Sequence, residues 1–122
     1  MLVTKQLQTT ELQLQAAIFQ YHWNNYPNER GQLFHVNQKA RNAIEGNKMK
    51  ALGVVAGVSD LILLRPGGIA IFLELKTDTG KQSNAQAAFQ ATVESLGFRY
   101  AILTSLPQFK ELLLNCKLWR DK

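Results

Sequence analysis

The chain has 122 residues, 46% of them hydrophobic and 19% charged, which is enough for one domain with a single core. Fourteen Lys and Arg against nine Asp and Glu give a net charge of +5, a surplus that favours a polyanionic partner. The single cysteine excludes an intramolecular disulfide framework. No apolar run approaches the ~20 residues of a membrane span, and the N-terminus lacks a signal-peptide pattern. We therefore expect one cytoplasmic domain over residues 1–122, with no membrane contact.

The chain begins with a predicted amphipathic helix. Thr9 or Thr10 is a candidate N-cap, and the helical pattern runs to about Asn24. One apolar stripe of this helix is expected to be buried, and it consists of Leu12, Ala16, Phe19 and Trp23. Glu11 lies beside that stripe, where a first-turn acid interacts favourably with the helix dipole. A short strand is predicted next, over residues 32–36.

A polar and basic segment then follows, with a helical pattern that Gly46 interrupts. Most of the excess positive charge lies in and just before this segment, on Arg30, Lys39, Arg41, Lys48 and Lys50. Such a stretch is usually a solvated face, but it is also a place where a phosphate backbone can be held. His35 and Asn37 precede it, and they are either substrate contacts or a polar pair on an edge strand.

Residues 57–76 carry the strongest local signal in the chain. Two runs rich in Ile and Leu flank a Pro-Gly-Gly sequence at residues 66–68, which predicts a β-hairpin. If these three residues form the loop, Arg65 faces Ile69 across the hairpin. The rest of the register follows from that one pairing.

In this register, two acidic residues lie opposite each other at the end of the hairpin far from its turn. Asp60 faces Glu74, and directly opposed residues have Cβ atoms about 5 Å apart. Lys76 leaves the same face of its strand as Glu74. Neighbouring carboxylates repel unless they share a proton or a cation, and an all-oxygen site favours Mg²⁺ or Mn²⁺. A salt bridge between Lys76 and Glu74 is the structural alternative, but it leaves Asp60 without a partner.

The last third of the chain predicts a helix, a strand and a helix. Ser83 begins the first helix, Gly97 ends it, and Ser83 and Gln86 have the spacing of a capping box. A strand over residues 98–104 follows, so the connection is expected to be a right-handed crossover between parallel strands. A final helix begins near Ser105 and packs back on the sheet.

The arrangement of Asp60, 13 residues and then Glu74-x-Lys76 resembles the active site of the PD-(D/E)xK nuclease superfamily. The wider string is similar to the VRR-NUC branch, where Gly-x-x-x-Gly-x-Pro-Asp-Leu precedes Glu-x-Lys and a helix opened by Ser-x-x-Gln. The matching residues here are Gly53, Gly57, Ser59, Asp60, Leu61, Glu74, Lys76, Ser83 and Gln86. Ser59 stands where the family usually has proline, a residue that shapes the backbone and binds no metal.

This resemblance implies an α/β fold with a restriction-endonuclease-like core. Its mixed central sheet is flanked by helices in the order α-β-(α)-β-β-α-β-α. It also implies a divalent metal, Mg²⁺ or Mn²⁺, held by Asp60, Glu74 and the backbone carbonyl of Leu75. In such nucleases a glutamate of the first helix reaches the metal site, which would be Glu11, and the glutamine matching Gln86 points at the active site.

The function implied is that of a metal-dependent DNA endonuclease of phage or bacterial type. Because stand-alone members resemble Holliday-junction resolvases, we expect a homodimer that acts on branched DNA. Phosphate contacts are expected from Arg30, His35, Asn37, Lys39, Arg41, Lys48, Lys50 and Lys81. Two alternatives stay open, a nucleic-acid-binding module that does not cut and an interaction subunit of a repair or packaging complex. The second predicts DNA binding with little salt dependence.

Overall fold

The computed structural model describes residues 10–36, 40–77 and 79–116. Its helices are α1 (Glu11–Asn25), α2 (Ala43–Ala51), α3 (Asn84–Ser95) and α4 (Leu106–Cys116), with a short 3-10 helix at Pro27–Glu29. Its strands are β1 (Leu33–His35), β2 (Leu61–Arg65), β3 (Ile69–Leu75) and β4 (Arg99–Leu103). None of the helices in these ranges has the length and hydropathy to cross a membrane.

The strands form one mixed sheet in the order β1-β2-β3-β4. β2 is antiparallel to both β1 and β3, and β4 is parallel to β3 after the crossover through α3. The predicted fold class is confirmed, as is the predicted order of helices and strands. The parallel connection follows the usual rule that two strands joined through a helix lie side by side.

The predicted register of the central hairpin is also confirmed. Arg65 pairs with Ile69 and Leu61 pairs with Leu73, so residues 66–68 form the loop. Gly67 and Gly68 have φ values of 88° and 75°, which side chains rarely adopt, and a Gly-Gly pair therefore suits this turn.

The core lies on one face of the sheet, beneath α1 and α4. The alternate residues Ile71, Leu73 and Leu75 of β3 are fully buried there, against Ile18 of α1 and Phe109 of α4. Each such side chain stabilises the fold by about 1.5–3 kcal/mol relative to leaving it in water. Because β-strand side chains alternate, the even-numbered residues of β3 face α3 on the other side of the sheet.

The predicted buried stripe of α1 is wrong. Leu12 is 77% exposed and Trp23 is 42% exposed, whereas Leu14, Ile18 and His22 are buried. The buried row contains His22, so the sequence pattern indicates that it is the more polar of the two rows. His22 can be buried because its Nε2 atom lies 3.1 Å from Oε1 of Glu29, which satisfies a polar ring that would otherwise be costly to bury.

Local capping fixes the ends of the two helices that frame the site. Thr10 caps α1, and Ser83 caps α3 through the predicted capping box. At the other end of α3, Gly97 has φ of 90° and the Phe98 N–H donates to the Val93 carbonyl at 3.2 Å. This closure is a Schellman motif, in which a residue with positive φ lets the chain turn away from the helix.

Candidate active site

Asp60 and Glu74 meet at the end of the β2–β3 hairpin farthest from its turn. The Leu75 N–H donates to Oδ2 of Asp60 at 2.7 Å, so the Asp60 carboxylate lies directly against the end of β3. Asp60 is half-buried, whereas Glu74 is 0% exposed. Glu74 lies on the face of the sheet that α3 covers, which excludes water from its carboxylate.

The two oxygens of the Glu74 carboxylate have different surroundings. Oε1 accepts a hydrogen bond of 2.9 Å from Nε2 of Gln82 and one of 2.5 Å from the hydroxyl of Tyr100. Gln82 also donates to Oε1 of Gln90, at 2.8 Å. Oε2 is buried and has no hydrogen-bond partner within the described residues. A buried oxygen left in this way requires an explanation, and a bound cation is one.

The environment of Tyr100 keeps its phenol protonated. Burial raises the pKa of Tyr100 well above its ordinary value, and the hydrogen bond to Glu74 and the negative charges of Glu74 and Asp60 raise it further. A protonated phenol can only be the donor towards a carboxylate oxygen. The Tyr100 hydroxyl therefore donates to the Glu74 carboxylate.

Lys76 follows β3 on the same face as Glu74, and it is half-buried. The backbone N–H of Lys76 donates to the Leu103 carbonyl at 3.0 Å, which holds the chain beside β4 at this point. The loop after β3 lies close to its aliphatic stem, since a Cβ built on Gly80 would be 3.4 Å from Cδ of Lys76. The backbone and the aliphatic stem of Lys76 are thus held at the end of β3, one residue beyond Leu75.

A close backbone contact joins the segment before Asp60 to the start of α3. Gly57 has φ of 79°, and a Cβ built on it would lie 2.3 Å from the carbonyl carbon and oxygen of Ala85. Only glycine permits that approach. Ser59, which stands at the family's proline position, is buried and donates to the Leu61 carbonyl at 3.3 Å. The Gly57 contact thus places the chain three residues before Asp60 against the start of α3, the helix that carries Gln90.

Gln86 and Glu11 occupy the two helix N-termini near the site. Oε1 of Gln86 accepts from the Ser83 N–H at 2.8 Å, so in this structure its side chain completes the capping box. Glu11 is the first residue of α1, one turn before Gln15, whose amide lies 3.1 Å from Nδ1 of His35. This places Glu11 on the side of α1 that faces β1.

His35 connects α1 to the backbone of Asp60. Its Nδ1 lies 3.0 Å from the Asp60 carbonyl, which can only accept a hydrogen bond. The same nitrogen lies 3.1 Å from Nε2 of Gln15, so His35 lies between α1 and the Asp60 backbone. His35 thus holds the backbone of a site residue.

The predicted cationic residues lie on several different elements of the fold. Arg30 stacks on Trp23 at 4.8 Å, and Nε of Arg41 pairs with Glu45 at 2.9 Å. Lys48 and Lys50 on α2 are exposed, as is Lys81 just before α3. Asn37 and Lys39 lie outside the described residues.

The two carboxylates fit a hard divalent cation with few protein ligands. Within residues 10–36, 40–77 and 79–116, no three His, Cys, Asp or Glu side chains form a group that could hold a metal ion. The contribution of Glu11 stays a prediction. Mg²⁺ is commonly held by one or two carboxylates and keeps several waters. The unpartnered Oε2 of Glu74 and the Asp60 carboxylate, which accepts from the Leu75 N–H at the same strand end, are hard oxygen donors of the kind that such an ion takes.

Sequence reasoning missed Gln82 and Tyr100 as residues of this site. Gln82 lies in the loop before α3, where no periodic pattern singles it out. Tyr100 is on the same face as Glu74 because β4 pairs in parallel with β3, with Phe72 opposite Tyr100. The strand of Tyr100 was predicted, but its register with β3 was not, and that register is the signal that would have identified it.

The fold is matched in known proteins. The family model for the VRR-NUC domain matches residues 6–107. One solved structure, described as a VRR-NUC domain protein, has a TM-score of 0.69 at 19% identity and covers 87% of this chain and 86% of its own. A second, described as a VRR-NUC domain, has a TM-score of 0.54 at 17% identity and covers 80% and 91%. No curated protein matches the sequence significantly.

A mixed sheet flanked by helices, with an acidic pair and a lysine at one end of its central hairpin, defines a nuclease-type domain of the PD-(D/E)xK class. Because the family model spans most of its length, the chain belongs to the VRR-NUC family.

Proposed function

We propose that this protein is a metal-dependent, structure-selective DNA endonuclease. The observation that carries the proposal is the buried Oε2 of Glu74, which has no hydrogen-bond partner among the described residues and lies at the strand end where the Leu75 N–H donates to Asp60. Leaving a buried carboxylate oxygen without a partner is unfavourable, and a divalent cation compensates for it. Mg²⁺ or Mn²⁺ would be held by Asp60, Glu74 and the Leu75 carbonyl, with a contribution of Glu11 through a water as a further prediction.

Hydrolysis breaks one P–O bond of the DNA backbone and forms another with the oxygen of a water molecule. The divalent ion supplies Lewis-acid stabilisation of the phosphate charge and acidifies that water. Asp60 and Glu74 would bind and orient the cation. Lys76 would place its ammonium beside the charge that develops on the phosphate, where a cation in a partly water-excluded site acts most strongly. Gln86, next to this site, is proposed to contact the substrate after a change of rotamer.

We propose branched DNA as the preferred substrate, bound by a homodimer. Arg41, Lys48, Lys50 and Lys81 are exposed cations that would contact phosphates, and such contacts carry no sequence information. Arg30 follows Glu29, which pairs with Arg65 at the hairpin turn, so it would contact phosphates farther from the carboxylates. The described residues contain no separate element that would read base sequence. Shape and the spacing of two symmetric sites are then the remaining sources of selectivity.

The test is cleavage of a four-way junction and of linear duplex with Mg²⁺, Mn²⁺ or EDTA, using wild type, Asp60→Asn and Glu74→Gln. Both substitutions retain an oxygen that can accept the hydrogen bonds observed, so folding should be kept while one negative charge is lost. Metal stabilisation is worth several kcal/mol and each ~1.4 kcal/mol is tenfold in rate, so cleavage should fall by about 10³-fold. Cleavage that survives EDTA, or that persists in both variants, would overturn the metal mechanism. Binding without cleavage by wild type would favour the non-cutting module.

A further inference from the structure

Two residues donate to Glu74 and a third holds one of these donors, and the three come from different places in the fold. Tyr100 lies on β4, Gln82 lies in the loop before α3, and Gln90 lies within α3. Tyr100 and Gln82 both donate to Oε1 of Glu74, and Gln90 accepts the second N–H of Gln82. All the donors seen at this carboxylate converge on one oxygen.

The two donors are themselves restrained. The ring of Tyr100 packs on Phe89 of α3 at a centroid distance of 6.4 Å, and Phe89 packs in turn on Phe72 of β3 at 5.9 Å. The amide of Gln82 cannot rotate without losing the bond to Gln90. Because both donors are held before any ligand arrives, the orientation of the Glu74 carboxylate is preorganised rather than induced.

We propose that Tyr100 and Gln82 are positioning residues that make Glu74 a one-oxygen metal ligand. They occupy Oε1, so Oε2 is the only oxygen of the Glu74 carboxylate that is left for the cation. This inference rests on the proposed function, because it concerns the same metal site. Hydrogen bonds to a ligating carboxylate commonly alter metal affinity by 10- to 100-fold without touching the metal.

One-oxygen coordination also bears on which cation is accepted. Mg²⁺ and Mn²⁺ favour compact octahedral coordination, which single carboxylate oxygens and waters satisfy. Ca²⁺ accepts six to eight ligands and readily takes both oxygens of one carboxylate. With Oε1 occupied, the site disfavours the larger ion. Releasing Oε1 should therefore weaken Mn²⁺ binding more than Ca²⁺ binding.

The experiment measures Mn²⁺ binding by calorimetry and Ca²⁺ binding by competition, on metal-free wild type, Tyr100→Phe and Gln82→Met. Each substitution removes a donor and keeps a side chain of similar size. Tyr21→Phe is the matched control, since Tyr21 packs on Phe109 on the opposite face of the sheet. Thermal unfolding in EDTA is recorded for every variant, so that lost stability can be separated from lost affinity.

We expect about tenfold weaker Mn²⁺ binding in Tyr100→Phe and Gln82→Met, with a smaller loss or a gain for Ca²⁺, and no change in Tyr21→Phe. Unchanged affinity in both variants, or an equal loss for both ions, would overturn the positioning role, whatever happens to thermal stability. If wild-type protein binds no Mn²⁺, or if Glu74→Gln binds it as well as wild type, the metal site itself is wrong. That failure removes the proposed function as well, and it is distinguishable from the first.

Discussion

A fully buried carboxylate in a small protein needs compensation, and Glu74 receives it only in part. Its neighbours within the described ranges donate two hydrogen bonds, but no basic side chain there forms an ion pair with it within 4 Å. Buried charges are normally paired or bound to metals. Glu74 thus differs from Glu29, which pairs with Arg65 at 2.8 Å and has a purely structural explanation. This contrast supports the proposal that Glu74, and not Glu29, binds the metal.

Lys76 allows the chemical step to be separated from metal binding. We expect Lys76→Met to lower cleavage by about 10²–10³-fold, because it removes a cation beside the developing phosphate charge. Mn²⁺ affinity should be kept or improved, because a like charge is removed from the site. Single-turnover cleavage and calorimetry on the same sample check both statements. Lys110→Met is the control, since Lys110 lies over Tyr21, away from the carboxylates; equal cleavage by both variants would contradict the role of Lys76.

At the scale of elements, α3 is the part on which the site depends. Its N-terminus contacts the Gly57 backbone, its first turn carries the capping box, and its later residues hold Gln82 and Tyr100. The hairpin brings the acids together, and α3 closes one face over them. A disturbance of the contact between the residue 53–58 loop and α3 should therefore reach both carboxylates.

Gly57→Ala tests this dependence. The added Cβ would lie 2.3 Å from the Ala85 backbone at a φ of 79°, so the loop or the helix must move. We expect a loss in the free energy of unfolding of about 2 kcal/mol or more, with a loss of metal affinity. Gly53→Ala is matched, because it has φ of 98° with no atom within 4 Å, and it should cost only about 1–2 kcal/mol. Urea denaturation measures both; equal losses would show that the contact itself contributes nothing.

At the scale of the whole molecule, the proposed substrate requires more than one site. A single domain with one acidic pair makes one cut, whereas resolving a four-way junction requires two related cuts. Several large apolar side chains are exposed, and such a surface is compatible with self-association. They include Leu12 and Trp23 of α1, Ile44 of α2, and Leu52.

We expect light scattering coupled to gel filtration to give twice the mass of one 13.7 kDa chain, and cleavage of a four-way junction to yield paired, symmetric products. Linear duplex of the same length should be cut more slowly. The control is a mixture of wild type and Asp60→Asn, which should give single nicks if the two sites act in one dimer. A monomeric mass together with equal cutting of linear and branched DNA would contradict both the dimer and the structure selectivity.

The sequence by itself determined those features that depend on local order. The Pro-Gly-Gly turn set the hairpin register because a loop of known length leaves only one pairing, and that pairing placed Asp60 opposite Glu74. Caps at Thr10 and Ser83 followed from side chains that satisfy nearby N–H groups. The family motif followed from spacing along the chain. None of these required knowledge of distant contacts.

Only the tertiary structure decided which face of α1 is buried and which residues surround Glu74. Two rows of α1 are partly apolar, and the choice between them depends on how the helix packs against the sheet and α4, which allows His22 to be buried beside Glu29. Tyr100 and Gln82 reach Glu74 from 26 and 8 residues away, through a parallel strand pairing and a loop. Periodicity reports only on neighbours along one element, and contacts between elements arise when the chain packs.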